Sequence, residues 1–132
     1  MLYNKAHERG KSVNWLGFYL LRDGELVLGP FMGRPACIRI GLGRGVCGTA
    51  AREGLTQRVA DVHAFPGHIA CDAASRSELV VPMRDGSGRT LGVLDVDASV
   101  VDFFTEDDAS EIEAVVRALV PACDWGAIGG MV

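Results

Sequence analysis

A chain of 132 residues makes one compact domain and leaves little room for a second. With 48% hydrophobic and 23% charged residues it can build its own core, which excludes global disorder. Its 13 basic and 17 acidic residues give a net charge of −4, the wrong sign for a general nucleic-acid or anionic-membrane binder. No apolar run approaches the ~20 residues of a bilayer-spanning helix, and the charged stretch Met1–Lys11 has no signal segment, so a cytoplasmic location is expected.

In chain order, Trp15–Leu21 and Glu25–Leu28 are apolar runs joined by Arg22-Asp23-Gly24, whose Asp-Gly step is a hairpin signal. Cys37–Ile40 alternates apolar and polar residues, as a short strand does, before the glycine loop Gly41–Gly45. Val46–Glu53 is alanine-rich and bounded by Gly45 and Gly54, the pattern of a short helix. Gln57–Val62 suits another short strand, and His63–Ser77 a loop. Glu78–Arg84 and Thr90–Asp97 flank Asp85-Gly86-Ser87-Gly88 as a second hairpin. Thr105 with Glu106, Asp107 and Asp108 caps a last helix whose apolar stripe is Ile112, Val115, Val116, Leu119 and Val120. Strands outnumber helices and are mostly joined by hairpins, so the expected class is α+β: a single domain over residues 1–132 with a central antiparallel sheet flanked by helices.

Four cysteines, at 37, 47, 71 and 123, stand 10, 24 and 52 residues apart, without the close pairs of a structural zinc site. No metal is expected on that ground. Cys71 lies in Phe65-Pro66-Gly67-His68-Ile69-Ala70-Cys71-Asp72, a loop setting that a ligand can reach, with His63 and His68 near enough in sequence to favour a thiolate. Cys37 and Cys47 flank the glycine loop, and either could meet another thiol; Cys47 reads equally well as a packed small hydrophobe, and Cys123 as core. The glycine loop lacks the Lys-Ser/Thr of a phosphate cradle.

Asp95 and Asp97 interrupt an apolar strand at a spacing of two, which puts both on one face. Paired acids in such a strand suit a polar cavity for a cation or ammonium group, and Glu78 could face it from the neighbouring strand; a merely solvated face is the lesser alternative. Trp15 and Tyr19, evenly spaced on the first strand, could wall a small-ligand pocket or belong to the core.

The strings Asn14-Trp15-Leu16-Gly17-Phe18-Tyr19, Gly29-Pro30-Phe31, Pro35-Ala36-Cys37-Ile38-Arg39-Ile40, Gly43-Arg44-Gly45-Val46-Cys47-Gly48, Phe65 to Asp72 as above, Ser75-Arg76-Ser77-Glu78 and Gly92-Val93-Leu94-Asp95-Val96-Asp97 resemble, in order and spacing, the free methionine-(R)-sulfoxide reductases. The resemblance runs from about Asn14 to Phe104 and implies a GAF fold and an enzyme reducing free methionine-(R)-sulfoxide rather than the protein-bound form.

It implies that Cys71 is the nucleophile, Cys37 its principal resolving cysteine and Cys47 an alternative resolver, with Glu78 handling the sulfoxide oxygen. Asp95 and Asp97 would bind the amino group, Trp15 and Tyr19 would enclose the methyl end, and backbone around Ile69, Ala70 and Cys71 would receive the carboxylate. It further implies no bound cofactor and recycling by thioredoxin, fed by NADPH and thioredoxin reductase; a homodimer is compatible with it. Relatives carry a helical stretch before the Asn-Trp string, and here only Met1–Val13 precede it, so a short or truncated first helix is expected. The competing reading is a non-catalytic GAF sensor of a metabolite or oxidant; a third is a metal site using Cys71 with His63 or His68.

Overall fold

The computed structural model describes residues 12–67 and 74–125. Six strands form one antiparallel sheet: β1 (Val13–Arg22), β2 (Glu25–Gly33), β3 (Arg39–Gly41), β4 (Gln57–Val59), β5 (Ser77–Arg84) and β6 (Thr90–Ala98), in the order β3-β2-β1-β6-β5-β4. Helix α1 (Gly45–Glu53) packs on one face and α2 (Glu106–Leu119) on the other, which confirms the α+β class.

The two hairpins form where the turn chemistry lies. Asp23 and Gly24 both adopt positive φ, 51° and 81°, the mirror-image turn whose twist matches the strands it joins. In the second, Asp85 Oδ1 accepts from the Ser87 and Arg89 amides and the Ser87 hydroxyl, holding the turn between β5 and β6. Helix α1 ends on Gly54 in the left-handed region. Helix α2 begins with a full capping box: Thr105 Oγ1 accepts from the Asp108 amide, and Asp108 Oδ2 accepts from the Thr105 amide.

Several boundaries differ from the sequence reading. β2 runs on to Gly33 instead of ending at Leu28, because Phe31 and Met32 find partners in Gly17 and Leu16 of the long β1. A bulge between the Gly17–Phe31 and Tyr19–Leu28 pairs sets Gly29 and Pro30 against Phe18, a position where a residue without an N–H is tolerated. The strand expected at Cys37–Ile40 shrinks to Arg39–Gly41, since β3 pairs only with Glu25–Val27, and Cys37 lies in the segment leading into it. The strand expected over Gln57–Val62 stops at Val59; Asp61 instead caps a short 3-10 turn, Val62–Ala64, by accepting from the His63 amide. In α2 the buried stripe is narrower than expected: Ile112, Val116 and Val120 pack on the sheet, while Val115 lies exposed on its flank. No helix among the described residues is long and apolar enough to cross a membrane.

β1, β5 and β6 are covered on both sides, so alternate residues enter different cores. Leu20, Leu79, Val81, Met83, Leu94, Val96 and Ala98 join Phe104 and Val116 beneath α2. Trp15, Tyr19, Val80 and Val93 join Val46, Cys47, Ala50 and Ala51 beneath α1. All the described candidate site residues lie on or beside this second face.

Candidate active site

Trp15 and Tyr19 project from the same face of β1 and stack, ring centroids 5.9 Å apart at 25°; Phe31 of β2 continues the stack on Trp15 at 5.7 Å. The stack exists because residue 17 is glycine. A Cβ there would lie 2.5 Å from Trp15 Cη2 and 2.6 Å from Phe31 Cβ, so any side chain would push the indole off the strand. Both aromatic side chains also use their polar tips. Trp15 Nε1 donates to the Arg34 carbonyl at 3.0 Å, and Tyr19 Oη donates to the Cys37 carbonyl at 2.9 Å. The aromatic wall is therefore also the clamp on the segment that carries Cys37. That residue is half-buried and disulfide-bonded, whereas Cys47 and Cys123 are free.

Beside this wall the sheet brings three carboxylates together. Glu78 on β5 stands opposite Asp97 on β6, and across the other edge of β6 Asp95 and Asp97 stand opposite Gly17 and Trp15 of β1. All three are buried. Asp95, Asp97 and Glu78 lie close enough to act on one another electrostatically, and Ser75 adjoins Asp97. Ser75 in turn receives a bond from Asn14 Nδ2 at 3.1 Å. Burial first, then the charges of Glu78 and Asp97, pushes the Asp95 carboxyl well above the usual carboxylate range. Asp97 is pushed the same way by burial and then Glu78. Even so, Asp95 Oδ1 and Asp97 Oδ1 are buried with no hydrogen-bond partner among the described residues. A buried acceptor left without a donor is costly, so a donor arriving at the cluster is bound favourably.

Cys47 enters the cluster from α1, where close packing against the glycine loop is possible because residue 48 has no side chain; a Cβ there would collide with the Gly41 carbonyl. The Cys47 thiol donates to Glu78 Oε2 at 3.7 Å. Burial, followed by Asp95 and Glu78, pushes the thiol up, so it is held as the neutral S–H, a poor nucleophile. The same surroundings push the Tyr19 hydroxyl up, burial first and then Cys47 and Asp95, so it remains a hydrogen-bond donor.

Of the residues singled out from sequence, Trp15, Tyr19, Cys37, Cys47, Glu78, Asp95 and Asp97 thus gather on the α1 side of the sheet. Cys71, Ile69, Ala70 and His68 lie outside the described residues. His63 sits in the exposed 3-10 turn, and Cys123 is half-buried near α2 on the opposite side of the sheet. Gly17, Phe31 and Ser75 carry parts of the site that the residue-by-residue reading did not assign. A glycine between two aromatic residues four apart on a strand was the available signal for the first.

The family described as GAF domain matches residues 5–122. Free methionine-R-sulfoxide reductase of Escherichia coli (strain K12) is 52% identical over 113 residues, which span 86% of this chain and 68% of that protein. Among solved structures, free methionine-R-sulfoxide reductase from Neisseria meningitidis in complex with its substrate superposes with a TM-score of 0.83 at 43% identity, covering 97% of this chain and 75% of that one. The reduced form of the Staphylococcus aureus enzyme gives a TM-score of 0.79 at 50% identity, covering 89% and 78%. With the curled six-stranded sheet and the two flanking helices, these likenesses define the lineage: the chain belongs to the free methionine-(R)-sulfoxide reductases, a family of GAF-domain enzymes.

Proposed function

We propose that this chain reduces free L-methionine-(R)-sulfoxide to L-methionine by thiol chemistry. The observation that carries the reading is the buried carboxylate cluster, with an unpartnered oxygen on each of Asp95 and Asp97, lying against the Trp15–Tyr19 wall that clamps Cys37. A free amino acid offers that cluster an ammonium group. A methionine sulfoxide inside a peptide offers a neutral amide N–H and adds chain on both sides, so the pocket favours the free form. The apolar rings provide a surface for the methyl end of the side chain.

In this mechanism the Cys71 thiolate attacks the sulfoxide sulfur and Glu78 assists departure of the oxygen. The oxygen ends on Cys71 as a sulfenic acid, and methionine leaves with its sulfur reduced by two electrons. The Cys37 thiol then displaces that oxygen as water and forms a disulfide with Cys71. A thioredoxin dithiol restores both thiols by exchange, drawing its two electrons from NADPH through thioredoxin reductase, and no bound cofactor is needed. The disulfide-bonded state of Cys37, beside free Cys47 and Cys123, favours Cys37 as the principal resolver. Cys47, buried and bonded to Glu78, is better placed to orient that carboxylate than to resolve.

The test follows NADPH consumption coupled to thioredoxin with free methionine-(R)-sulfoxide, its S epimer and a peptide-bound sulfoxide. Turnover is expected on the first alone, lost in Cys71→Ser and strongly reduced in Cys37→Ser. Equal turnover on the peptide would remove the ammonium argument, and full activity in Cys71→Ser would remove the mechanism.

A further inference from the structure

Cys47, Glu78 and Asp95 come from α1, β5 and β6, yet one ligand-type atom of each lies within 4.8 Å of the other two, all in buried positions. Tetrahedral zinc, with donors at about 2.0–2.3 Å, holds them roughly 3.5 Å apart. Cys47 Sγ and Glu78 Oε2 already stand 3.7 Å apart, and side-chain rotation of about 1 Å closes the rest. The second observation is independent of that spacing: Asp95 Oδ1, on a residue 4% exposed, has no hydrogen-bond partner, and neither does Oδ1 of the adjoining Asp97.

We propose that Cys47, Glu78 and Asp95 form a binding site for a thiophilic divalent cation, Zn2+ being the best fit, and that the cation competes with the amino-acid substrate for the same carboxylates. A substrate ammonium has no use for the sulfur in this cluster, whereas a mixed set of one sulfur and two oxygens suits a borderline-soft metal. Mg2+ and Ca2+, which take oxygen ligands in larger number, are excluded by the same donor set. On binding, an Sγ–metal bond forms as the S–H bond breaks, and the thiol proton leaves to solvent together with any proton held by the Asp95 and Glu78 carboxyls, with no change of oxidation state. Three protein donors leave a fourth position for water. The competition, though not the site itself, rests on reading Asp95 as the ammonium site.

The experiment uses the disulfide form of the Cys123→Ser protein, checked by titration to hold one free thiol, with Co2+ as the spectroscopic probe. One equivalent of Co2+ should raise a sulfur-to-cobalt charge-transfer band, which Zn2+ displaces and Mg2+ does not. Asp95→Asn should weaken Co2+ binding at least about tenfold while keeping the band, as loss of one of three protein ligands requires, and Cys47→Ala, verified as folded by circular dichroism, should abolish it. Absence of the band, or its persistence in Cys47→Ala, overturns the site. Free methionine-(R)-sulfoxide should raise the apparent Kd for Co2+; if it does not, the competition is overturned. Turnover measured with chelator present tests the reductase reading separately, since it involves no metal.

Discussion

Along β6, Leu94, Val96 and Ala98 pack with Phe104 and Val116 beneath α2, while the residues between them, Asp95 and Asp97, are turned to the α1 face and buried beside Glu78. β5 repeats the contrast, with Leu79, Val81 and Met83 on one side and Glu78 on the other. Two faces cut from the same strands thus have opposite energetics. The α2 face removes apolar surface from water and leaves little polar to satisfy, so its burial stabilises the fold. The α1 face holds three acids and a thiol at close quarters, where desolvation and like charge oppose burial. The comparison teaches that one side of this sheet supports the strain that makes the other side a binding site.

The largest effect should come from the stabilising side. Leu79→Ala, at a fully buried position, is expected to lower unfolding free energy by about 2–5 kcal/mol in chemical denaturation, while KM for free methionine-(R)-sulfoxide in the protein that remains folded is unchanged. A large KM change instead would show that the two faces are not separable.

The reverse change, Asp95→Asn, should raise KM for the free sulfoxide by about 3 kcal/mol, roughly a hundredfold, because a buried charge partner of the ammonium is lost. The same variant should melt at a higher temperature than the parent without ligand, since an amide relieves the repulsion and donates to its neighbours. The sign of the pH dependence follows from the raised carboxyls. The native chain keeps protons on Asp95 and Asp97 that the unfolded chain releases from about pH 4, so this contribution is full below that value and is lost as pH rises toward the folded-state values. Melting temperature of the ligand-free protein should therefore fall from mildly acidic to mildly alkaline pH, and Asp95→Asn should flatten the slope. A melting temperature that rises over that range would contradict the shared-proton account of the cluster.

The smallest effect concerns the capping box that starts α2. Thr105→Ala should cost about 1 kcal/mol in denaturant unfolding, with kcat and KM untouched. A change in KM from this position would mean that α2 reaches the pocket through the sheet.

The hairpins, the helix starts and the apolar alternation were legible because they follow from neighbours in the chain: Asp23-Gly24 sets its own turn, Thr105 and Asp108 cap each other, and Asp95 and Asp97 share a face by the period of a strand. The α+β class followed from the count of strands and hairpins, and the family strings added roles for Trp15, Tyr19, Cys37, Cys47 and Glu78. What local pattern could not supply was the pairing of distant segments. β2 outran its apolar stretch because β1 offered partners beyond it, and β3 begins at Arg39 because its ladder pairs only Arg39–Gly41 with Glu25–Val27. Cys47, in an alanine-rich helix, read equally well as a packed hydrophobe and as a working thiol until the fold set its sulfur against Glu78, 31 residues away in sequence. Periodicity says which side of an element a residue occupies; the energy of a buried acid or thiol depends on what arrives opposite it, and that is settled when the strands and α1 close over one another.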